Sequence, residues 1–152
     1  MINREDNLKS LLSASLEQLK SETDEVANLA NISAYIMEFM DDINWAGFYL
    51  LKGDDLVLGP FQGKPACIRI PWGMGVCGAA INEERVMRVD DVHSFPGHIA
   101  CDAASNSEIV LPLYKRDMVY GVLDIDSPSF ARFTELEETY LTELAEKISK
   151  YF

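Results

Sequence analysis

Helices, then strands, then a helix: this order, read along 152 residues, predicts an α+β domain whose antiparallel sheet of about six strands carries its N- and C-terminal helices on one face. Three observations carry that expectation. Apolar residues recur every three or four positions through the first forty residues; aromatic and branched runs separated by short polar turns follow; a capped amphipathic segment closes the chain. Strand-to-strand connections look like hairpins, not helical crossovers, which argues against a parallel sheet.

Leu8, Leu11, Leu12, Ser15, Leu16 and Leu19 mark one face of a helix within the first twenty residues. Ser21 with Asp24 resembles the start of a second, whose buried side would carry Val26, Leu29, Ala30, Ser33, Ile36, Met37 and Met40 before Asp41 and Asp42 end it. From Asn44 the run WAGFYLL, the turn Lys52-Gly53-Asp54-Asp55 and the run LVLGPF read as a β-hairpin. Residues 67–70 and 86–89 are short strand candidates, with 107–114 and 118–125 forming a stronger pair across Lys115-Arg116-Asp117. Between them, two prolines and three glycines break regular structure over residues 64–78, and Pro96, Gly97, Asp102, Ser105 and Asn106 mark a surface loop. Thr134 with Glu137 forms a capping box, and Leu136, Tyr140, Leu141, Leu144 and Ile148 give the closing helix to Tyr151. No repeat or linker interrupts this order, so residues 1–152 are expected to form a single domain.

Thirteen basic against twenty-five acidic residues leave a net charge of -12, which opposes binding to nucleic acid or anionic membranes. The polar start MINREDNLKS lacks the apolar run of a secretion signal, and no stretch of about 18 apolar residues follows. A cytoplasmic location is expected. In a reducing compartment, three cysteines point away from a structural disulfide framework and towards a transient disulfide, a metal site or simple burial.

Cys101 stands in the turn-rich loop, where an accessible sulfur can react, and Cys67 and Cys77 lie in the glycine-rich one. His93 and His98 share the loop of Cys101. Zinc would need closer ligand pairs: Cys67 and Cys77 are ten positions apart, so no metal is expected and loop hydrogen bonding is the better role for the histidines. Gly73, Gly75 and Gly78 lack the Lys-Ser/Thr of a phosphate loop and the dinucleotide spacing, and no hydrolytic triad is apparent, so no cofactor is expected.

On the last strand Asp124 and Asp126 share a face, opposite Val119, Gly121, Leu123 and Ile125. Glu108 opens the partner strand. A short-turn register would let the three carboxylates converge, raising one another's pKa so that one could serve as an acid and the others hold an ammonium group; otherwise each is simply solvated at a strand end. Trp45 reads either as core or as a pocket wall, and Trp72, between Pro71 and Gly73, as a loop residue whose exposure would suggest a lid.

The segments NWAGFYLLKGDDLVLGPFQGKPACIRIPWGMGVCG, DVHSFPGHIACDAASNSEIVLPL and LDIDSP together resemble the free methionine-(R)-sulfoxide reductases, which are built on a GAF domain. The likeness spans nearly the whole chain. It implies reduction of the R epimer of free methionine sulfoxide and recycling by thioredoxin, with Cys101 attacking, Cys67 resolving and Cys77 an auxiliary thiol. It also implies that Glu108, Asp124 and Asp126 bind the sulfoxide oxygen and the amino group, with Trp45 near the methyl group. Acids so placed should raise the pKa of a neighbouring thiol unless one is protonated or backbone N–H groups offset them. Backbone amides of residues 103–107 are a candidate cradle for the substrate carboxylate. Relatives are often dimeric, which makes the first helix a candidate interface. Trp72, Met74 and Ala79 depart from the family pattern and bear on loop contacts. The alternative is a GAF small-ligand sensor without catalysis, which would bind its ligand and leave it intact.

Overall fold

The computed structural model describes residues 3–99 and 103–152. Helices α1 (Arg4–Ser21) and α2 (Glu25–Phe39) lead into the hairpin β1 (Trp45–Lys52) and β2 (Asp55–Gly63), then β3 (Arg69–Pro71), α3 (Gly75–Glu83) and β4 (Met87–Val89). A 3-10 turn at Val92–Ser94 precedes the hairpin β5 (Ser107–Lys115) and β6 (Met118–Ser127), and α4 (Glu135–Lys150) closes the chain. The six strands run in the order β3-β2-β1-β6-β5-β4, each antiparallel to its neighbours.

The terminal helices are capped by their sequence. Asn3 accepts from the Asp6 amide at 3.1 Å and Asp24 from the Ala27 amide at 2.9 Å, satisfying amides that the first turn leaves free. Ser21 belongs to the end of α1, so Asp24 alone starts α2. At α4, Thr134 and Glu137 complete the capping box, and Glu137 also faces the buried Arg132 at 3.5 Å. These helices cover one face of the sheet: α2 lies over β1 and β2, α4 over β5, and α1 packs on both helices. The buried side of α1, including Leu8, Leu11 and Leu19, is thereby consumed within the chain.

Four details differ from the sequence reading. Val26, in the first turn of α2, is 67% exposed, and Ile32 holds the buried place beside Leu29 and Ile36. β3 begins at Arg69, leaving Cys67 outside the strand. Val119 packs on the face opposite to Leu123 and Ile125, because the β5–β6 register slips between Leu113 and Tyr114 and a bulge exchanges faces beyond it. The largest difference is α3, which occupies part of the stretch that its glycines mark as irregular and covers the second face of the sheet. Gly75 enters this helix at φ +63°, and a Cβ on Gly78 would sit 2.9 Å from the Gly73 carbonyl carbon. Here glycine permits a tight helix entry and a close approach, not a loop.

Candidate active site

Register on three strands builds the site. Glu108 lies directly across from Asp126, Val110 from Asp124, and Trp45 from Asp126 on the other side, so all three acids and Trp45 project from the face covered by α3. The first turns of α3 bring Cys77 down onto them, with its Sγ 4.0 Å from Glu108 Oε2. Glu108 and Asp124 are only 7% and 5% exposed, so they are not carboxylates solvated at a strand end; Asp126 is half-buried. A pocket of about 50 Å³ opens against these groups, walled by Trp45, Tyr49, Ile70 and Met74, with His98 and Ser105 on its lining.

Burial and crowding govern protonation. Glu108 is pushed well above the ordinary carboxylic range, first by burial and then by Asp124; Asp124 is pushed up by burial and then by Asp126. A carboxyl held protonated can donate to an oxygen, which an ionised one cannot. Burial also raises the Cys77 thiol, with Asp124, Glu108 and Asp126 adding to the shift, so this sulfur stays neutral and is a poor nucleophile. Asp124 Oδ1 is buried without a hydrogen-bond partner among the described residues, a cost that a ligand donor would remove. Ligand atoms of Cys77, Glu108 and Asp124 lie within 4.8 Å of one another, which makes them the set best placed to meet a cation among the described residues.

The remaining sequence candidates divide. Cys67 is disulfide-bonded, and its carbonyl accepts from the Tyr49 hydroxyl at 2.8 Å; Cys77 is a free thiol. Cys101 lies outside the described residues. Trp45 is buried against Phe61 and Tyr49, with ring centroids 5.2 and 5.9 Å away, and its indole N–H donates to the Lys64 carbonyl at 3.2 Å. It therefore belongs to both the core and the pocket wall. Trp72 is 42% exposed, donates to Asn82 Oδ1 at 2.9 Å and does not line the pocket, whereas Met74 does. His93 meets Asn106 Oδ1 at 2.8 Å. The amide of Asn106 already donates to the Ser127 carbonyl at 2.8 Å, which removes it from any backbone cradle over residues 103–107.

Tyr49 is the functional candidate that the sequence reading passed over. Its position two and four residues along β1 from Gly47 and Trp45 puts it on the same face, a signal that strand periodicity carries. Burial and the nearby Asp124 raise its phenol, so it acts as a donor that fixes the Cys67 segment.

Comparison with known proteins places this geometry. The GAF domain family matches residues 23–151. Over 132 residues the chain is 59% identical to the free methionine-R-sulfoxide reductase of Escherichia coli strain K12, covering 87% of this chain and 80% of that protein. The chain belongs to the GAF-domain family of free methionine-R-sulfoxide reductases. Among solved structures, the Neisseria meningitidis enzyme in complex with its substrate superposes with a TM-score of 0.96 at 44% identity, covering 100% of this chain and 92% of that one. The substrate complex of fRMsr of Staphylococcus aureus gives 0.90 at 47% identity, covering 95% of each chain. Helix α1 lies wholly outside the family match but packs into the same core. Among the described residues no helix is long and apolar enough to cross a membrane.

Proposed function

We propose that this protein reduces free methionine-(R)-sulfoxide to methionine through its cysteines, in the cytoplasm, with thioredoxin restoring the thiols. The observation that carries the reading is the buried group of Glu108, Asp124 and Asp126 in a small tryptophan-walled pocket, beside a segment whose Cys67 is disulfide-bonded. Of the three cysteines, Cys77 is free, and Cys101 is the partner that this reading assigns to Cys67.

The Cys101 thiolate forms a bond to the sulfoxide sulfur while a protonated carboxyl, Glu108 or Asp124, gives its proton to the oxygen. The oxygen then passes to the cysteine: the substrate sulfur–oxygen bond and the transient bond between the two sulfurs break as a Cys101 sulfur–oxygen bond forms, which releases methionine and leaves a sulfenic acid; the substrate sulfur gains two electrons and the cysteine sulfur loses two. Cys67 then attacks the sulfenic sulfur, hydroxide departs and takes a proton to become water, and the disulfide forms. A dithiol reductant opens it by exchange. Neutral Cys77 does not compete as first nucleophile and serves as an auxiliary thiol once the pocket rearranges. Asp126 and whichever acid is ionised hold the ammonium group, and Trp45 packs against the methyl group. A homodimer is compatible with this chemistry, although α1 spends its apolar side within the chain.

The test is NADPH consumption coupled through thioredoxin and its reductase, with the free R epimer, the free S epimer and a peptide-bound sulfoxide as substrates. Turnover of the first alone, abolished in Cys101→Ser, is the expected result. Binding of methionine sulfoxide without its consumption would instead identify a ligand sensor.

A further inference from the structure

Three acidic residues line one pocket, and a free amino acid brings a carboxylate of its own, which those of the three that are ionised repel. Beyond the protonated carboxyl reserved for the sulfoxide oxygen, few described side-chain donors remain to receive it. The Trp45 indole N–H is engaged by the Lys64 carbonyl, the Tyr49 hydroxyl by the Cys67 carbonyl and the Asn106 amide by the Ser127 carbonyl. Among the described lining residues a single side chain is basic, His98, and its Nδ1 is buried without a hydrogen-bond partner among the described residues. A buried ring nitrogen left open is costly, and a ligand group that meets it recovers the loss.

The ring is also held in place. The His98 amide donates to the Phe95 carbonyl at 3.2 Å, and its ring meets that of His93 edge-on at 6.2 Å. His93 is anchored in turn to Asn106 at 2.8 Å. Across the lining, the Ser105 oxygen accepts from Asn44 Nδ2 at 3.0 Å, which leaves its own hydroxyl hydrogen free to point elsewhere. The pocket therefore has an acidic side built on β5 and β6 and a donor side built on the loops at His98 and Ser105.

We infer that His98 recognises the carboxylate of the substrate, its Nδ1–H donating to one oxygen with the Ser105 hydroxyl as a second donor, and so selects a free amino acid over a carboxyl-blocked one. This rests on the reductase reading and names the specificity determinant of the same site. Burial and the neighbouring His93 push the His98 ring down from its ordinary pKa, so it stands neutral until an anion arrives to favour the Nδ1-protonated form.

The experiment compares free methionine-(R)-sulfoxide with its primary amide, which keeps the ammonium and sulfoxide groups and loses only the negative charge. Wild type should prefer the acid by roughly tenfold or more in kcat/KM, the size expected of a hydrogen bond to a charged group. His98→Ala should raise KM for the acid by that factor with kcat little changed and leave the amide untouched, collapsing the preference; His98→Asn, which keeps an N–H near the Nδ1 position, should restore part of it. Partial unfolding cannot imitate this, because it lowers both substrates alike. An unchanged acid-to-amide ratio in His98→Ala overturns the inference while leaving the reductase reading intact, and failure of wild type to consume either substrate overturns both.

Discussion

The two faces of the sheet use the same strands for opposite purposes. On the face covered by α1, α2 and α4, Phe48, Ile109, Leu111, Leu113, Leu123 and Ile125 meet Leu29, Ile32, Ile36, Leu141 and Leu144, and the buried charges at its edge, Glu137 and Arg132, face each other at 3.5 Å. On the face covered by α3 the apolar layer of Tyr49, Val110 and Val122 gives way at one end to Glu108, Asp124, Asp126 and Cys77. Along β6 the alternation Leu123, Asp124, Ile125, Asp126 assigns successive residues to stability and to chemistry. Burying two carboxyls costs free energy unless they stay protonated, and the apolar face supplies the surplus that tolerates them.

The sharpest way to test that division is to cut the apolar face. Leu111→Ala is expected to cost about 2–5 kcal/mol, because Leu111 is 1% exposed and its loss leaves a cavity. In thermal melts this should appear as a fall of roughly 4–20 °C, with turnover per folded molecule unchanged. A loss of activity without loss of stability would break the comparison. Asp124→Asn is the mirror experiment. It should lower kcat by about a hundredfold, the scale of a lost acid–base group, yet raise the melting temperature because it removes a buried ionisable group that has an unpartnered oxygen. If stability and activity fall together, Asp124 is structural and the division is wrong.

Gly78→Ala probes the seam between α3 and the loop before it. The added methyl would lie 2.9 Å from Gly73 backbone and 3.0 Å from the Pro71 carbonyl oxygen, so α3 must shift and carry Cys77 with it. A loss of about 1–3 kcal/mol is expected, together with altered reactivity of Cys77 towards thiol reagents in the reduced protein. Unaltered stability would mean that α3 is free to move without cost.

What was legible in the sequence follows the same line. Capping residues, the 3.6-residue repeat and the two hairpins are local signals, so α1, α2, α4 and the strong strands could be read directly. The pairing of β5 with β6 follows from the short turn between two long strands, but the turn's own register would set Glu108 against Ile125, and only the bulge between Leu113 and Tyr114 brings it opposite Asp126. Helix α3 was hidden because its glycines answer to a partner distant in space: Gly78 is needed for approach to Pro71 and Gly73, and composition reports only the absence of a side chain. Tyr49 and His98 were obscured for a related reason. Their roles depend on what their polar atoms find, a Cys67 carbonyl in one case and no described partner in the other, and neither is a property of spacing.

The smallest effect concerns pH. In the folded protein Glu108 and Asp124 hold their protons to higher pH than they do in the unfolded chain, first because both are buried and then because Asp124 and Asp126, respectively, lie close by. Above the ordinary carboxylate range the folded state therefore binds more protons than the unfolded one, and wild-type stability must fall as pH rises, until the raised pKa values are passed. Each unit of separation is worth about 1.4 kcal/mol for a single group. Asp124→Asn deletes one contributor and relieves its pressure on Glu108, so its melting curve should depend less steeply on pH. The mutant's advantage over wild type is thus expected to widen between pH 5 and pH 8, measured by calorimetry on the reduced proteins in matched buffers. Parallel curves over that interval would show that the acids ionise in the folded state as readily as in the unfolded chain, and the chemical face would then lack the protonated carboxyl that its reaction needs.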